Sequence, residues 1–350
     1  MLSEDEKFMQ RCLELAEKGR GNTAPNPMVG SVIVYNGRII GEGYHRHCGE
    51  AHAEVNAVEA VRDKSLLEKS TLYVNLEPCA HQGRTPACSL MIIEKRIPKV
   101  VIGCIDPFAK VAGKGVQMLR EAGVEVVVGV LEHESRQLNR RFFTFHLNKR
   151  PYIILKWAQS LDGFLDFVRS KDTPIQPNWI TDEYARMLVH RWRAEESAVM
   201  VGTNTAEKDN PKLDVRDWTG KNPTRIVLDR RLRLPENLNL FDGTIPTLIF
   251  TEKTKKNQPN TEYIRVDFDK NVFDHIFNEL YKREILSLIV EGGADLINSL
   301  LNRNLWDEAR YFVGKKLFYA GVAAPKINQE PGNIVLPGNS TLYQVYNSPV

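Results

Sequence analysis

The chain has 350 residues, of which 42% are hydrophobic, 26% charged and 9% aromatic: a folded, globular composition with room for two domains. Forty-seven basic against 44 acidic residues leave a net charge of only +3, which gives no reason to expect a nucleic-acid or membrane partner. No apolar run nears the ~20 residues needed to span a bilayer, and the acidic start M-L-S-E-D-E-K lacks the basic and apolar regions of a signal peptide. The five cysteines (Cys12, Cys48, Cys79, Cys88, Cys104) are odd in number and sparse, which argues for reduced thiols in the cytoplasm and makes metal binding a use for some of them.

In chain order, Ser3-Glu4-Asp5-Glu6 has the form of a capping box and opens a helix carrying Phe8, Met9, Cys12, Leu13 and Ala16, which Gly19 and Gly21 stop. Asn36-Gly37 joins two strands, Ser31–Tyr35 and Arg38–Glu42, as a hairpin. The pattern then predicts a helix over Ala51–Arg62, a strand over Thr71–Leu76, a helix near Ser89–Lys95 and a strand over Val100–Ile105. A helix over Val116–Ala122 and a strand over Val124–Val130 complete the first half. Such alternation indicates a layered α/β domain. The polar, basic stretch Leu131–Arg150 is where the boundary is expected, dividing the chain into 1–147 and 148–350. A second alternation follows: strands over Tyr152–Trp157, Ala198–Val201, Thr224–Leu228, Thr247–Phe250 and Leu286–Val290, with helices over Glu183–Glu195, Phe273–Arg283 and Ala294–Asn302. No internal repeat links the halves.

The chemistry of the first half rests on His52-Ala53-Glu54, Pro78-Cys79 and, nine positions later, Cys88. A catalytic zinc takes three protein ligands and keeps one position open for water, and one histidine with two thiolates supplies that set. Glu54 lies two residues from His52 and is free to move protons rather than bind metal. H-x-E with P-C-x-x-C is the signature of zinc nucleobase deaminases, but here eight residues separate the cysteines instead of two. Taken singly, each cysteine reads equally well as a small buried hydrophobe. Their joint occurrence with H-x-E points to metal.

The segments P-C-A-H-Q-G-R-T-P-A-C (78–88), A-P-N-P-M-V-G-S-V-I-V (24–34) and G-Y-H-R-H-C-G-E-A-H-A-E (43–54) together resemble the riboflavin-biosynthesis deaminases, a branch of the cytidine-deaminase-like fold with the wider cysteine spacing. The resemblance implies a three-layer α/β/α domain with His52, Cys79 and Cys88 on Zn2+ and Glu54 as the proton shuttle. It also implies Asn26, His45, His81 and Arg84 as contacts to the pyrimidine or its ribose phosphate.

In the second half G-x-G-x-x-G is missing, and Val290-Glu291-Gly292-Gly293-Ala294 is a glycine turn between a strand and a helix, weak as a phosphate cradle by itself. L-K-W-A-Q-S-L-D-G (155–163), Trp179-Ile180-Thr181 and Asp209-Asn210-Pro211-Lys212-Leu213 with Arg216 resemble the reductase half of the same bifunctional enzymes, which is similar to dihydrofolate reductase in fold. That resemblance implies NADPH along Gln159, Trp179, Thr205, Asp209, Gly292 and Gly293, and a ribose-phosphate substrate at Arg193, Leu213, Arg216 and Glu291. Two features depart from it: a long segment Asp166–Gln176, and Pro177 where many relatives carry a small hydroxylic residue.

The sequence therefore predicts a bifunctional enzyme of a phosphorylated small molecule. It would deaminate 2,5-diamino-6-ribosylamino-4(3H)-pyrimidinone 5′-phosphate hydrolytically, then reduce its ribosyl group to ribityl with NADPH. Homo-oligomerisation is implied by the resemblance alone. The alternatives are a nucleoside or tRNA deaminase with an appended binding domain, a structural zinc protein, and a deaminase whose reductase half is inactive.

Overall fold

A computed structural model describes residues 2–80, 87–108, 112–170, 172–176, 178–330, 332–335 and 338–347. The chain divides into two compact units that part between Asn148 and Lys149.

The first unit contains, in order, α1 (Glu4–Glu17), β1 (Gly30–Tyr35), β2 (Arg38–Tyr44), α2 (Ala53–Ala60), β3 (Thr71–Leu76), α3 (Cys88–Glu94), β4 (Lys99–Cys104), α4 (Lys114–Glu121), β5 (Glu125–Val128), α5 (Glu132–Leu138) and α6 (Arg140–Asn148). The capping box forms: Ser3 Oγ accepts from the Glu6 amide, and the Glu6 carboxylate accepts from the Ser3 amide. Asn36 (φ 48°) and Gly37 (φ 70°) both take the left-handed conformation that a type I′ hairpin requires. The strands form one sheet in the order β2-β1-β3-β4-β5, antiparallel across β2, β1 and β3 and parallel from β3 to β5. Its strands read as nearly continuous apolar runs because helices cover both faces. Leu72 and Val74 of β3 pack with Val58, Ile92 and Leu119 on one face. Tyr73 points the other way, to Met9, Cys12 and Leu15 of α1. Burying one such side chain contributes about 1.5–3 kcal/mol.

The stretch expected to hold only the boundary instead carries α5 and α6, with Phe142, Phe143 and Phe145 buried. Its aromatic spacing is helical, but the basic residues between disguise it.

The second unit contains β6 (Tyr152–Gln159), β7 (Phe164–Asp166), α7 (Glu183–Glu195), β8 (Ala198–Gly202), α8 (Thr203–Asp209), β9 (Thr224–Leu228), β10 (Thr247–Thr251), β11 (Thr261–Arg265), α9 (Val272–Lys282), β12 (Ser287–Val290), α10 (Ala294–Asn302), β13 (Glu308–Gly314), β14 (Val322–Ala323), β15 (Gly332–Val335) and β16 (Ser340–Tyr346). Nine strands form a sheet in the order β11-β10-β9-β8-β12-β6-β13-β16-β15. It is parallel from β11 to β13, and β16 and β15 add on antiparallel. Alternate side chains sort to opposite faces, as the period of two requires. Ala198, Met200, Leu288 and Val290 face α9 and α10, whereas Ile289 and Ile154 face α7. Short, isolated or charge-interrupted elements, namely β7, α8, β11, β13 and the strands after it, escape a sequence reading of this half. The last of them, β16, pairs with β13 over its full length.

Candidate active sites

In the first unit, three chain segments converge at the carboxyl end of β3. His52 is the residue before α2, Cys88 is the first residue of α3, and Cys79 lies in the loop that leaves β3. Their donor atoms all lie within 4.8 Å of one another. His52 Nδ1 is 3.3 Å from Cys88 Sγ and 3.6 Å from Cys79 Sγ, and the Cys88 amide donates to Cys79 Sγ at 3.3 Å. One imidazole and two thiols at this spacing fit a tetrahedral zinc with a place left over. Hydrogen bonding between the two thiols, helped by His52, lowers Cys79 and raises Cys88, so Cys79 is the one of the pair that gives up its proton more readily.

Glu54 stands in the first turn of α2 and is only 3% exposed. Burial pushes its carboxyl up to about 6, against the opposing pull of His52. His45 is likewise buried. Its Nδ1–H donates to the Ala51 carbonyl at 3.1 Å, which leaves Nε2 to accept from Asn26 Nδ2 at 3.1 Å. The His45 ring meets His52 edge-on with centroids 5.5 Å apart. Asn26, His45, His52, Glu54, Cys79 and Cys88 are thus one contiguous group, while His81 and Arg84 lie outside the described residues.

Two buried asparagines, Asn75 and Asn139, escaped the sequence reading. Asn139 accepts from the Met28 amide and donates to the Met28 carbonyl, both at 2.8 Å, and Asn75 donates to the same carbonyl at 3.1 Å. They fix the backbone two residues beyond Asn26. Glu77 also escaped; its carboxylate accepts from the amides of Asp106, Gly113, Gly115 and Val116.

A second acidic group, Glu252, Asp267 and Asp269, has metal-like spacing but is largely exposed, and Arg230 already contacts Glu252 at 2.9 Å and Asp269 at 2.6 Å.

In the second unit the expected residues gather where three neighbouring parallel strands end. Gln159 closes β6, Thr205 follows β8, and Glu291, Gly292 and Gly293 follow β12. Ligands of open α/β sheets bind in the crevice outside the carboxyl ends of strands. Arg193 grips Glu291 with two bonds of 2.7 Å, and Lys156 Nζ stands 3.5 Å from the same carboxylate. Burial would raise Glu291, but Arg193 and Lys156 outweigh it and hold the carboxyl down at about 2. Burial draws the Lys156 ammonium below its ordinary value. The sequence does signal Lys156, as a cation inside the apolar strand β6, but assigns it no role.

Gly292 has φ 121°, and a Cβ on Gly293 would come within 3.1 Å of Thr205 Oγ1. Glycine therefore keeps open a cradle against α8. No side chain caps the start of α10, whose first amides face that cradle and suit an anionic group.

The remaining expected residues are placed less directly. Arg216 pairs with Asp214 at 2.5 Å, and Arg193 donates to the Asp214 carbonyl at 3.1 Å, so one turn joins both arginines. The Leu213 side chain is buried in the apolar cluster with Val199 and Leu240, so a substrate contact there would be made by its backbone. Gln159 accepts from Trp157 Nε1 at 2.9 Å. Trp179 is 46% exposed with Arg186 over its ring at 5.4 Å. Arg169, from the long segment after the L-D-G turn, takes Asp209 at 2.8 Å. Pro177 lies outside the described residues.

Fold and sites together define the class: a zinc-binding deaminase domain followed by an α/β reductase domain. Residues 2–104 match the family described as the cytidine and deoxycytidylate deaminase zinc-binding region, and residues 151–333 match the RibD C-terminal domain. The riboflavin biosynthesis protein RibD of Aquifex aeolicus is 41% identical over 91% of this chain and 89% of its own, and that of Synechocystis 39% identical over 92% and 87%. The crystal structure of a diaminohydroxyphosphoribosylaminopyrimidine deaminase/5-amino-6-(5-phosphoribosylamino)uracil reductase from Thermotoga maritima superposes with a TM-score of 0.87 at 37% identity, covering 98% of both chains. The chain belongs to the RibD family of riboflavin biosynthesis proteins. Its units have the cytidine-deaminase-like and dihydrofolate-reductase-like folds of that family. Among the described residues, no helix is long and apolar enough to cross a membrane.

Proposed function

We propose that the first unit hydrolytically deaminates 2,5-diamino-6-ribosylamino-4(3H)-pyrimidinone 5′-phosphate, and that the second reduces the ribosyl group of the product to ribityl with NADPH. The observation that carries this reading is the convergence of His52, Cys79 and Cys88 beside a buried Glu54.

His52, Cys79 and Cys88 would hold zinc, which when bound supplies a water acidic enough to act as nucleophile near neutral pH. Glu54 takes up the proton that this water loses and delivers it to the ring nitrogen; it then takes the second proton, from the hydroxyl now carried by the ring carbon, and passes it to the amine, whose C–N bond breaks as ammonia leaves. Burial suits it to the task by raising its carboxyl toward the pH at which it must both take up and give back a proton. Asn26 and His45 form a polar edge that orients the pyrimidine.

In the second unit NADPH supplies the hydride. The Gly292-Gly293 turn, open beside Thr205, would hold its phosphates, and Gln159, Trp179 and Asp209 would hold the rest of it. The substrate lies against Lys156, Arg193, Arg216 and Glu291. Glu291 keeps the two buried cations charged and correctly aimed, so that they meet the ribose and its phosphate without reorganising.

The test is a coupled assay on purified protein with that pyrimidinone, following ammonia and NADPH absorbance together and measuring metal on the same sample. Stoichiometric ammonia release followed by NADPH oxidation is expected. Ammonia without NADPH oxidation would remove the reductase half of the reading. Activity on a polynucleotide with neither signal here would replace the substrate.

A further inference from the structure

The segment that follows the L-D-G turn in the second unit is unused by the chemistry above. Arg169 sits in it, and its side chain is only 9% exposed. Burying a guanidinium is costly unless its donors are satisfied, and here they are. Nε donates to Asp166 at 2.5 Å and one terminal nitrogen to Asp209 at 2.8 Å. The other terminal nitrogen donates to the Lys208 carbonyl at 2.9 Å and the Gln176 carbonyl at 3.2 Å. The four acceptors belong to three places: the end of β7, the far part of the same segment, and the last turn of α8. Lys208 offers one of the carbonyls that a helix end cannot satisfy itself. A planar fork is the one side chain that can join all of these at once; an ammonium has the charge without the geometry.

Asp209 is the last residue of α8, and Thr205 of the same helix faces the Gly292-Gly293 cradle. Arg169 takes one oxygen of the Asp209 carboxylate and so sets where the other points. Without it, Asp166 and Asp209 would lose the cation that bridges them. Their repulsion would fall on the wall of a site meant for a polyanionic dinucleotide.

We propose that Arg169 is a positioning residue for the reductase, fixing the Asp209 carboxylate and tying Asp166 and Gln176 to the end of α8 so that the cofactor wall is preformed. This rests on the reading of Asp209 as a cofactor contact. It also gives the long segment a purpose: to bring a guanidinium across to α8.

The experiment uses the full-length chain with Arg169→Leu, Arg169→Lys, Asp209→Asn and the Arg169→Leu/Asp209→Asn double variant. NADPH affinity is measured by titration calorimetry, and fold by circular dichroism at the same temperature. Arg169→Leu should weaken NADPH about tenfold, the scale of one lost charge-assisted contact, and Arg169→Lys by an intermediate factor. In the Asp209→Asn background the Leu substitution should add less than a further twofold, because a residue acting through Asp209 has nothing left to position. Cofactor-free Arg169→Leu should also be cut faster by thermolysin between residues 166 and 176. Multiplicative effects in the double variant would overturn the proposal. So would wild-type affinity in a folded Arg169→Leu or, if that variant does not fold, wild-type affinity in Arg169→Lys. A wild-type chain that does not bind NADPH would overturn the cofactor reading itself and this inference with it, whereas binding that is tight and indifferent to Arg169 would overturn this inference alone.

Discussion

The two units place their chemistry at the same kind of location, the carboxyl ends of parallel strands, but build it from different materials. In the first, the work is concentrated in side chains that can be named from sequence: an imidazole before α2, a thiol in the loop after β3 and another opening α3. In the second, the proposed site is spread over a buried charge cluster and a glycine turn, with the Arg169 contacts beside them. A metal demands particular donor atoms and so leaves a motif. A dinucleotide can be met by backbone amides and an open cradle, which many sequences provide.

That contrast makes unequal predictions for single substitutions. The largest effect should come from Glu54→Gln. It removes the proton carrier but keeps the size of the side chain, so ammonia release should fall about 10²–10⁴-fold. Zinc content by atomic absorption should be unchanged, and so should NADPH oxidation when the deaminated intermediate is supplied directly. Loss of zinc in this variant would mean that Glu54 is part of the metal site.

In the second unit no single residue should be so decisive for chemistry, yet one should be decisive for stability. Glu291→Gln leaves the buried charges of Arg193 and Lys156 uncompensated. Breaking a buried pair by removing one partner costs about 3–5 kcal/mol, which should lower the melting temperature of this unit by roughly 10 °C in calorimetry. The same carboxylate predicts an acid response. Its folded pKa, about 2, lies below the ordinary 4.5. The stability it contributes is therefore fully present above about pH 4.5 and is lost as pH falls toward 2, amounting to about 3 kcal/mol. A variant whose unfolding is as pH-dependent as the wild type between pH 5 and 2 would show that other groups carry the effect.

The same difference decided how much could be read in advance. The first unit's strands and helices were legible because apolar runs alternate with helical spacing and Asn36-Gly37 marks the hairpin. Its metal donors were legible from H-x-E and two cysteines. Asn75 and Asn139 were not: their partners are backbone atoms of Met28, distant in sequence, and an asparagine carries no periodic signal. The helices α5 and α6 were masked by basic residues among their phenylalanines. In the second unit the central strands were visible, but β13 was not, since Glu308 and Arg310 interrupt it; in the folded protein they pair with each other at 2.6 Å, and Arg310 stands 3.8 Å from Glu196, a partner distant in sequence. Lys156 was overlooked for the same reason, a charge inside a strand being paired across space rather than along the chain. For Leu213 the sequence locates a residue near a site without saying which way its side chain turns, and the structure turns it into the apolar core.

The smallest effect sharpens the comparison from the other side. Ser3→Ala removes the serine half of the capping box at the start of α1, far in sequence from every donor of the first site. Loss of such a cap costs about 1 kcal/mol, which should appear as a slightly lower melting temperature of the first unit. If the three donors and Glu54 are held by the local structure of α2, α3 and the end of β3, ammonia release at 25 °C should not change, because a small loss of margin leaves the native population nearly whole. A fall in turnover larger than the unfolded fraction would instead show that α1, through its packing on β1 and β3, helps to hold the site in shape.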